Sequence, residues 1–139
     1  MKKIILQTTA ILLILAGVVA CGKENENNEI NTLKGTKWKL AGIVDTETGV
    51  LKELEPKDCE QCYTLDFDTD TTAHGQSSSN DIIINISKMP PTIGGTKRNE
   101  SGDGHLYMDL WYDVNSYNRE DNKLKFFYEK DSYLLFKKI

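Results

Sequence analysis

Between Leu33 and Ile139 the apolar residues recur mostly at every second position. Trp38, Leu40 and Gly42 alternate with Lys37, Lys39 and Ala41, as in a strand with one face against a core. Asp45-Thr46-Glu47-Thr48-Gly49 is a run of turn formers, and Val50 to Leu54 reads as the strand that returns. Tyr63, Leu65 and Phe67 share one face, with Thr64 and Asp66 on the other. Ile82, Ile84 and Ile86 oppose Ile83, Asn85 and Ser87, and Leu124, Phe126 and Tyr128 alternate in the same way. Lys130-Asp131 then turns into the denser strand Tyr133 to Phe136. Short strands separated by turns predict a mainly β fold, a small antiparallel meander curling into a barrel. From His105 to Tyr117 two periods fit equally. Leu106, Met108, Leu110, Tyr112 and Val114 alternate as a strand would, while Leu106, Leu110, Trp111, Val114 and Tyr117 share one helical face. Asp103 would cap such a helix and Asn118 would end it.

The first 30 residues follow a different pattern. Met1-Lys2-Lys3 is a short basic start, and Ile11 to Val19 is an apolar stretch below the roughly 20 residues that span a bilayer. Residues 1–20 therefore read as a secretory signal peptide. Val18-Val19-Ala20-Cys21 resembles a lipobox, which predicts lipidation of Cys21 and attachment to a membrane through acyl chains. Residues 21–32 open with Gly22-Lys23-Glu24-Asn25-Glu26-Asn27-Asn28-Glu29, a polar run with nothing to bury, expected to act as a tether. A lysine followed by acidic residues fits either a plain spacer or the surface-export signal of Bacteroidetes lipoproteins. Residues 33–139 are left as the one folded domain.

Charge narrows the partners. Removing residues 1–20 takes two of the 17 basic residues and none of the 21 acidic ones, so the net charge moves from −4 to −6. An acidic domain is a poor match for nucleic acid, whose phosphates need a surplus of Lys and Arg.

Several segments resemble the META domain, a small lipocalin-like fold of bacterial envelope lipoproteins. Leu33-Lys34-Gly35-Thr36-Lys37-Trp38-Lys39-Leu40 is similar to its first strand, and Gly75-Gln76-Ser77-Ser78-Ser79-Asn80 to its glycine-to-asparagine bend. Ile93-Gly94-Gly95-Thr96-Lys97-Arg98 resembles its later threonine segment, and Leu106 to Tyr117 followed by Leu124 to Tyr128 its single helix and closing strands. The resemblance implies a barrel with one helix in the C-terminal half, which favours the helical reading of Leu106 to Tyr117. It also implies an envelope location, for which the outer membrane is the expected address of the lipid-anchored chain, and it implies no reaction. The chain departs from the pattern where the bend has Ser79 in place of a cysteine and the partner cysteine after the threonine segment is missing.

Little else can carry chemistry. Cys59-Glu60-Gln61-Cys62 follows Pro56 and runs straight into a strand, so it lacks the helix N-terminus that would lower a redox thiol's pKa. A structural disulfide between Cys59 and Cys62 fits an exported protein better. His74 and His105 lie far from that motif, so no zinc set is formed, and each adjoins a glycine as in an exposed turn. Asp66, Asp68 and Asp70 lack the glycine and terminal glutamate of a calcium loop and read as a solvated strand end. Ser77, Ser78 and Ser79 lack a nucleophile-elbow context. No catalytic residue, metal site or cofactor is expected.

Three functions remain, all non-enzymatic. A monomeric, lipid-anchored binding protein would act through exposed loops, with a secreted protease as the favoured partner, since small Bacteroidetes lipoproteins of similar layout inhibit exported proteases. Lys88, Met89, Pro90 and Pro91 would form its stiff contact loop, with the Cys59–Cys62 turn as a second. A lipocalin-like carrier of an apolar ligand and an envelope-stress or structural module are the alternatives. Trp38, Tyr63, Leu65, Phe67, Leu110, Trp111, Phe126 and Phe136 are bulky enough to fill a small barrel, which favours action at the outside.

Overall fold

The structure, a computed structural model, describes residues 32–139. The expected signal peptide, Cys21 and nearly all of the tether lie outside the described residues. Among the described residues nine strands and one helix follow in order: β1 Lys37–Asp45, β2 Val50–Lys52, β3 Thr64–Phe67, β4 Thr72–Gln76, β5 Asp81–Asn85, β6 Thr92–Gly95, α1 Gly104–Trp111, β7 Val114–Glu120, β8 Lys123–Tyr128 and β9 Ser132–Lys138. All ladders are antiparallel, and they run β6-β5-β4-β3-β1-β9-β8-β7, with β2 also on β1. The path ends at β6 and β7. The fold is therefore mainly β, as the alternation predicts, but its ladders draw a curled half-barrel rather than a closed cylinder.

β1 is the spine. Its buried positions Trp38, Leu40 and Gly42 are those the alternation marks. One edge pairs with β9 from Trp38↔Lys138 to Asp45↔Ser132, and the other is shared by β3 at its start and β2 at its end. Leu65 and Phe67 of β3, Ile82 and Ile84 of β5, Leu124 and Phe126 of β8, and Leu134 and Phe136 of β9 all turn inward.

Four elements depart from the pattern. The helix covers only eight residues, Gly104–Trp111, and Tyr117 and Asn118 belong to β7. β7 reads Val-Asn-Ser-Tyr-Asn-Arg-Glu with Val114 alone buried, so it has no apolar alternation to reveal it. Its asparagines and serine are weak helix formers, and extended they pair with β8 from Val114↔Tyr128 to Glu120↔Lys123. β4 and β6, both glycine-containing, are likewise strands by pairing. His74 thus sits within β4 rather than in a turn, and His105 is the second residue of α1. Asp103 occupies the N-cap position without a side-chain capping bond; its carboxylate accepts from Glu55 N at 2.8 Å instead.

α1 is held by its buried face. Tyr107 and Trp111, one turn apart, enter the half-barrel. Tyr107 stands 4.9 Å from Tyr63, and Trp111 stands 4.8 Å from Phe126, which meets Phe136 edge-on at 5.8 Å. Of the eight side chains expected to fill the centre, seven are buried; Leu110 is only half-buried, because it lies off the Tyr107–Trp111 face. Trp111→Ala should cost about 3–5 kcal/mol of stability, since the helix would lose its deepest anchor and leave a cavity. Urea unfolding of the variant beside the wild type measures this.

Candidate functional site

At the end of the sheet where β3 begins and β4 ends, three connections meet. The first is the Cys59–Cys62 turn, which is closed by a disulfide as the sequence indicates. Lys39 Nζ donates to Cys59 O at 2.8 Å and also to Cys62 O, so β1 braces the turn. Burial lowers the Lys39 pKa, against an opposing pull from Glu60. Tyr63 follows with φ +58°, and its hydroxyl donates to Glu55 O at 2.5 Å; burial pushes its pKa up to about 12.

The second and third connections are the serine bend 77–80 and the segment 96–101, joined by a polar hub absent from the sequence reading. Asn80 Oδ1 accepts from Thr96 Oγ1 at 2.9 Å and from Arg98 N at 2.6 Å, while its Nδ2 donates to Arg98 O and Glu100 Oε1. Glu100 accepts from Ser77 Oγ, Ser78 Oγ and the N–H of Ser79 at 2.6, 2.5 and 3.1 Å. Gly104 fits because a Cβ there would lie 2.0 Å from Ser78 Oγ. The bend and the threonine segment, noted separately in the sequence, are thus one structure. Ser79 Oγ lies 3.5 Å from Ser101 Oγ, and Glu100 and Asn80 do the joining of the two segments. Only the serine-rich bend facing a lone glutamate hinted at this.

The expected contact loop lies at the other end of β5, beyond the Asn85↔Thr92 pair. Lys88 and Pro90 are exposed, but Met89 is half-buried against the core and Pro91 is buried. Half of the loop therefore anchors rather than contacts, and it does not meet the Cys59–Cys62 turn.

An open groove of about 810 Å³ crosses the outer face of β3 to β6. The register sets one row across it: Lys37, Asp66, His74, Ile83 and Gly94, with Ile139 beside Lys37 through its N–H to Lys37 O. Lys37 pairs with Asp66 at 3.3 Å, and His74 Nδ1 lies 2.7 Å from Asp68 Oδ2. Glu60 and Gln61 of the disulfide turn, together with Asp81 and Thr96, complete the wall. The aspartates Asp66 and Asp68 thus engage Lys37 and His74, while Asp70 accepts from the N–H groups of Leu33 and Lys34 and ties down the start of the domain. Among the described residues no group of three or more His, Cys, Asp or Glu could hold a metal ion.

Two outcomes follow from the hub. Asn80→Ala should cost about 2–3 kcal/mol, because it orphans buried partners, and thermal unfolding measures it. Burial alone would raise the Glu100 pKa, but the bonds from Ser77, Ser78, Asn80 and Ser79 outweigh it and hold the carboxylate below its ordinary 4.5. A depressed folded pKa adds stability above 4.5 that disappears as pH falls through the folded value. Glu100→Gln should therefore flatten the acid limb of a stability–pH curve.

Comparison with known proteins gives the chain its relatives. No family model matches it. Its fold is similar to the NMR structure of a protein from Burkholderia xenovorans, with a TM-score of 0.57 and 18% identity, covering 77% of this chain and 83% of that one; the likeness is one of fold. It is 39% identical over 140 residues to a Tannerella forsythia protein named "Putative lipoprotein", covering 98% of this chain and 96% of that one. At that identity and coverage, the chain belongs to the same bacterial lipoprotein family as the Tannerella protein.

Proposed function

We propose that this protein is a lipid-anchored binding protein of the outer membrane that carries out no reaction and acts by holding a partner protein on its outer surface. A secreted protease is the partner class favoured by its size and layout. The observation that carries the reading is the contrast between inside and outside. Trp38, Phe67, Tyr107, Trp111, Phe126 and Phe136 are fully buried at the centre, where a carrier would keep its ligand. The groove of about 810 Å³ lies outside, walled by strand residues and by the disulfide turn. The lipocalin-like and META-like assignment belongs to the same proposal, resting on the Asn80–Thr96 junction and the single helix packed into the sheet.

Two measurements test the proposal. Cys21→Ser should move the protein from the membrane fraction to the soluble fraction, and a variant that stays in the membrane would remove the lipid anchor from the argument. The mature lipidated protein, offered to a panel of purified secreted proteases of each mechanistic class, should inhibit at least one. Lys88→Ala and Pro90→Ala test the loop at its two exposed positions. Turnover of a substrate by the protein itself would sink the reading, and inhibition of none of the panel would remove the protease as its partner.

A further inference from the structure

The sheet ends at β6, and hydrogen-bond parity decides what that edge shows to solvent. Ser77 N donates to Asn80 O and Ile86 N to Thr71 O, so Ile82 and Ile84 are the residues of β5 that bond to β4. Asp81, Ile83 and Asn85 bond to β6, and Thr96 N donating to Asp81 O at 3.0 Å fits that set. Ile93 and Gly95 oppose Ile84 and Ile82, so their own N–H and C=O groups point away from the sheet. No hydrogen-bond partner meets these groups among the described residues.

Edges of this kind are ordinarily blunted by charge, proline or a bulge. β7, at the other end, has a register shift between Val114 and Ser116 and carries Arg119 and Glu120. β6 reads Thr-Ile-Gly-Gly, with no charge and an unbroken register. On the outer face the row Lys37, Asp66, His74, Ile83 stops at Gly94, which leaves Ile83 57% exposed. A Cβ at Gly94 would meet nothing within 4 Å, so there is room above it for another side chain.

We propose that β6 is a docking edge for an extended segment of a partner protein, which adds a further antiparallel strand to the sheet. An apolar side chain of that segment sits over Gly94 against Ile83. A basic side chain two residues along the same face, opposite Thr96, reaches over it to Asp81. The charge follows from the groove, where Asp66 is matched by Lys37 and His74 while Glu60 and Asp81 form no ion pair among the described residues. Two copies paired β6 to β6 would join only four-residue strands, short of the roughly 1,000 Å² that a specific interface needs; a partner's segment can continue across the groove. This inference rests on the binding-protein reading and names its surface and the chemistry of its occupant.

The test uses the mature lipidated protein in detergent micelles, ¹⁵N-labelled and titrated with synthetic octapeptides. An alternating valine–lysine peptide should shift the amides of Ile93 and Gly95 and protect them from exchange. It should bind about tenfold tighter than an alternating valine–glutamate peptide, by charge complementarity. Gly94→Lys should keep the wild-type melting temperature and weaken valine–lysine binding about tenfold, through the repulsion and obstruction that a lysine places on an edge. Unmoved β6 amides, equal binding by a valine–lysine peptide N-methylated at alternate residues, or concentration-dependent dimerisation through β6 would overturn the proposal. Protease inhibition left intact by Gly94→Lys would remove the β6 edge and leave the binding function standing. Absence of inhibition together with peptide-induced shifts at β6 would remove the protease partner and support the edge.

Discussion

A half-barrel must be filled from within, and in this protein one chain of aromatic rings does that. Tyr63 meets Tyr107, Tyr107 meets Trp111, and Trp111 meets both Phe126 and Phe136. The chain ties the turn after the disulfide to the helix, and the helix to the last two strands. Without Tyr107 and Trp111, α1 would be eight residues long with no reason to form, since isolated helices of that length are unstable in water. Sheet and helix therefore depend on the same contacts. Burial raises the Tyr107 pKa, and its hydroxyl and Trp111 Nε1 meet no hydrogen-bond partner among the described residues, so the pair is held by its ring contacts.

The polar hub complements this core. Its members, Ser77, Asn80, Thr96, Arg98 and Glu100, come from connections rather than from strand interiors, and they hold the end of the sheet where three loops converge. Fixing those loops also fixes the ends of β4, β5 and β6, and with them the wall of the outer groove. The loop at the opposite end of β5 is secured differently, by turning Met89 and Pro91 inward. Both ends of the face are therefore tied to the rest of the domain, one by the hub and the other by buried loop residues.

The likeness to a solved fold at 18% identity and the family tie at 39% carry different information. The first concerns how the chain folds. The second places it among bacterial lipoproteins, in agreement with Val18-Val19-Ala20-Cys21. Neither names a partner. The interior is occupied by its own side chains, and the outer face and one strand edge are not.

Alternation alone reveals β1, β3, β5 and β8, because each buries one face and its residues must alternate to do so, and β9 shows as a dense apolar run after a turn. The disulfide was legible as well, since a short Cys-x-x-Cys running into a strand leaves the two thiols few other roles. The strands β4, β6 and β7 were not, because their identity lies in hydrogen bonds to neighbours rather than in their own side chains. The Glu100 hub was hidden for a related reason: Ser77 and Glu100 are 23 residues apart, and nothing local requires them to meet. Sequence by itself thus determined the class of fold, most of the core though not Tyr107, and the expected address. Only the tertiary structure decided where the helix stops, which loop residues face outward and which edge stays unpaired, because each of these follows from contacts between distant parts of the chain.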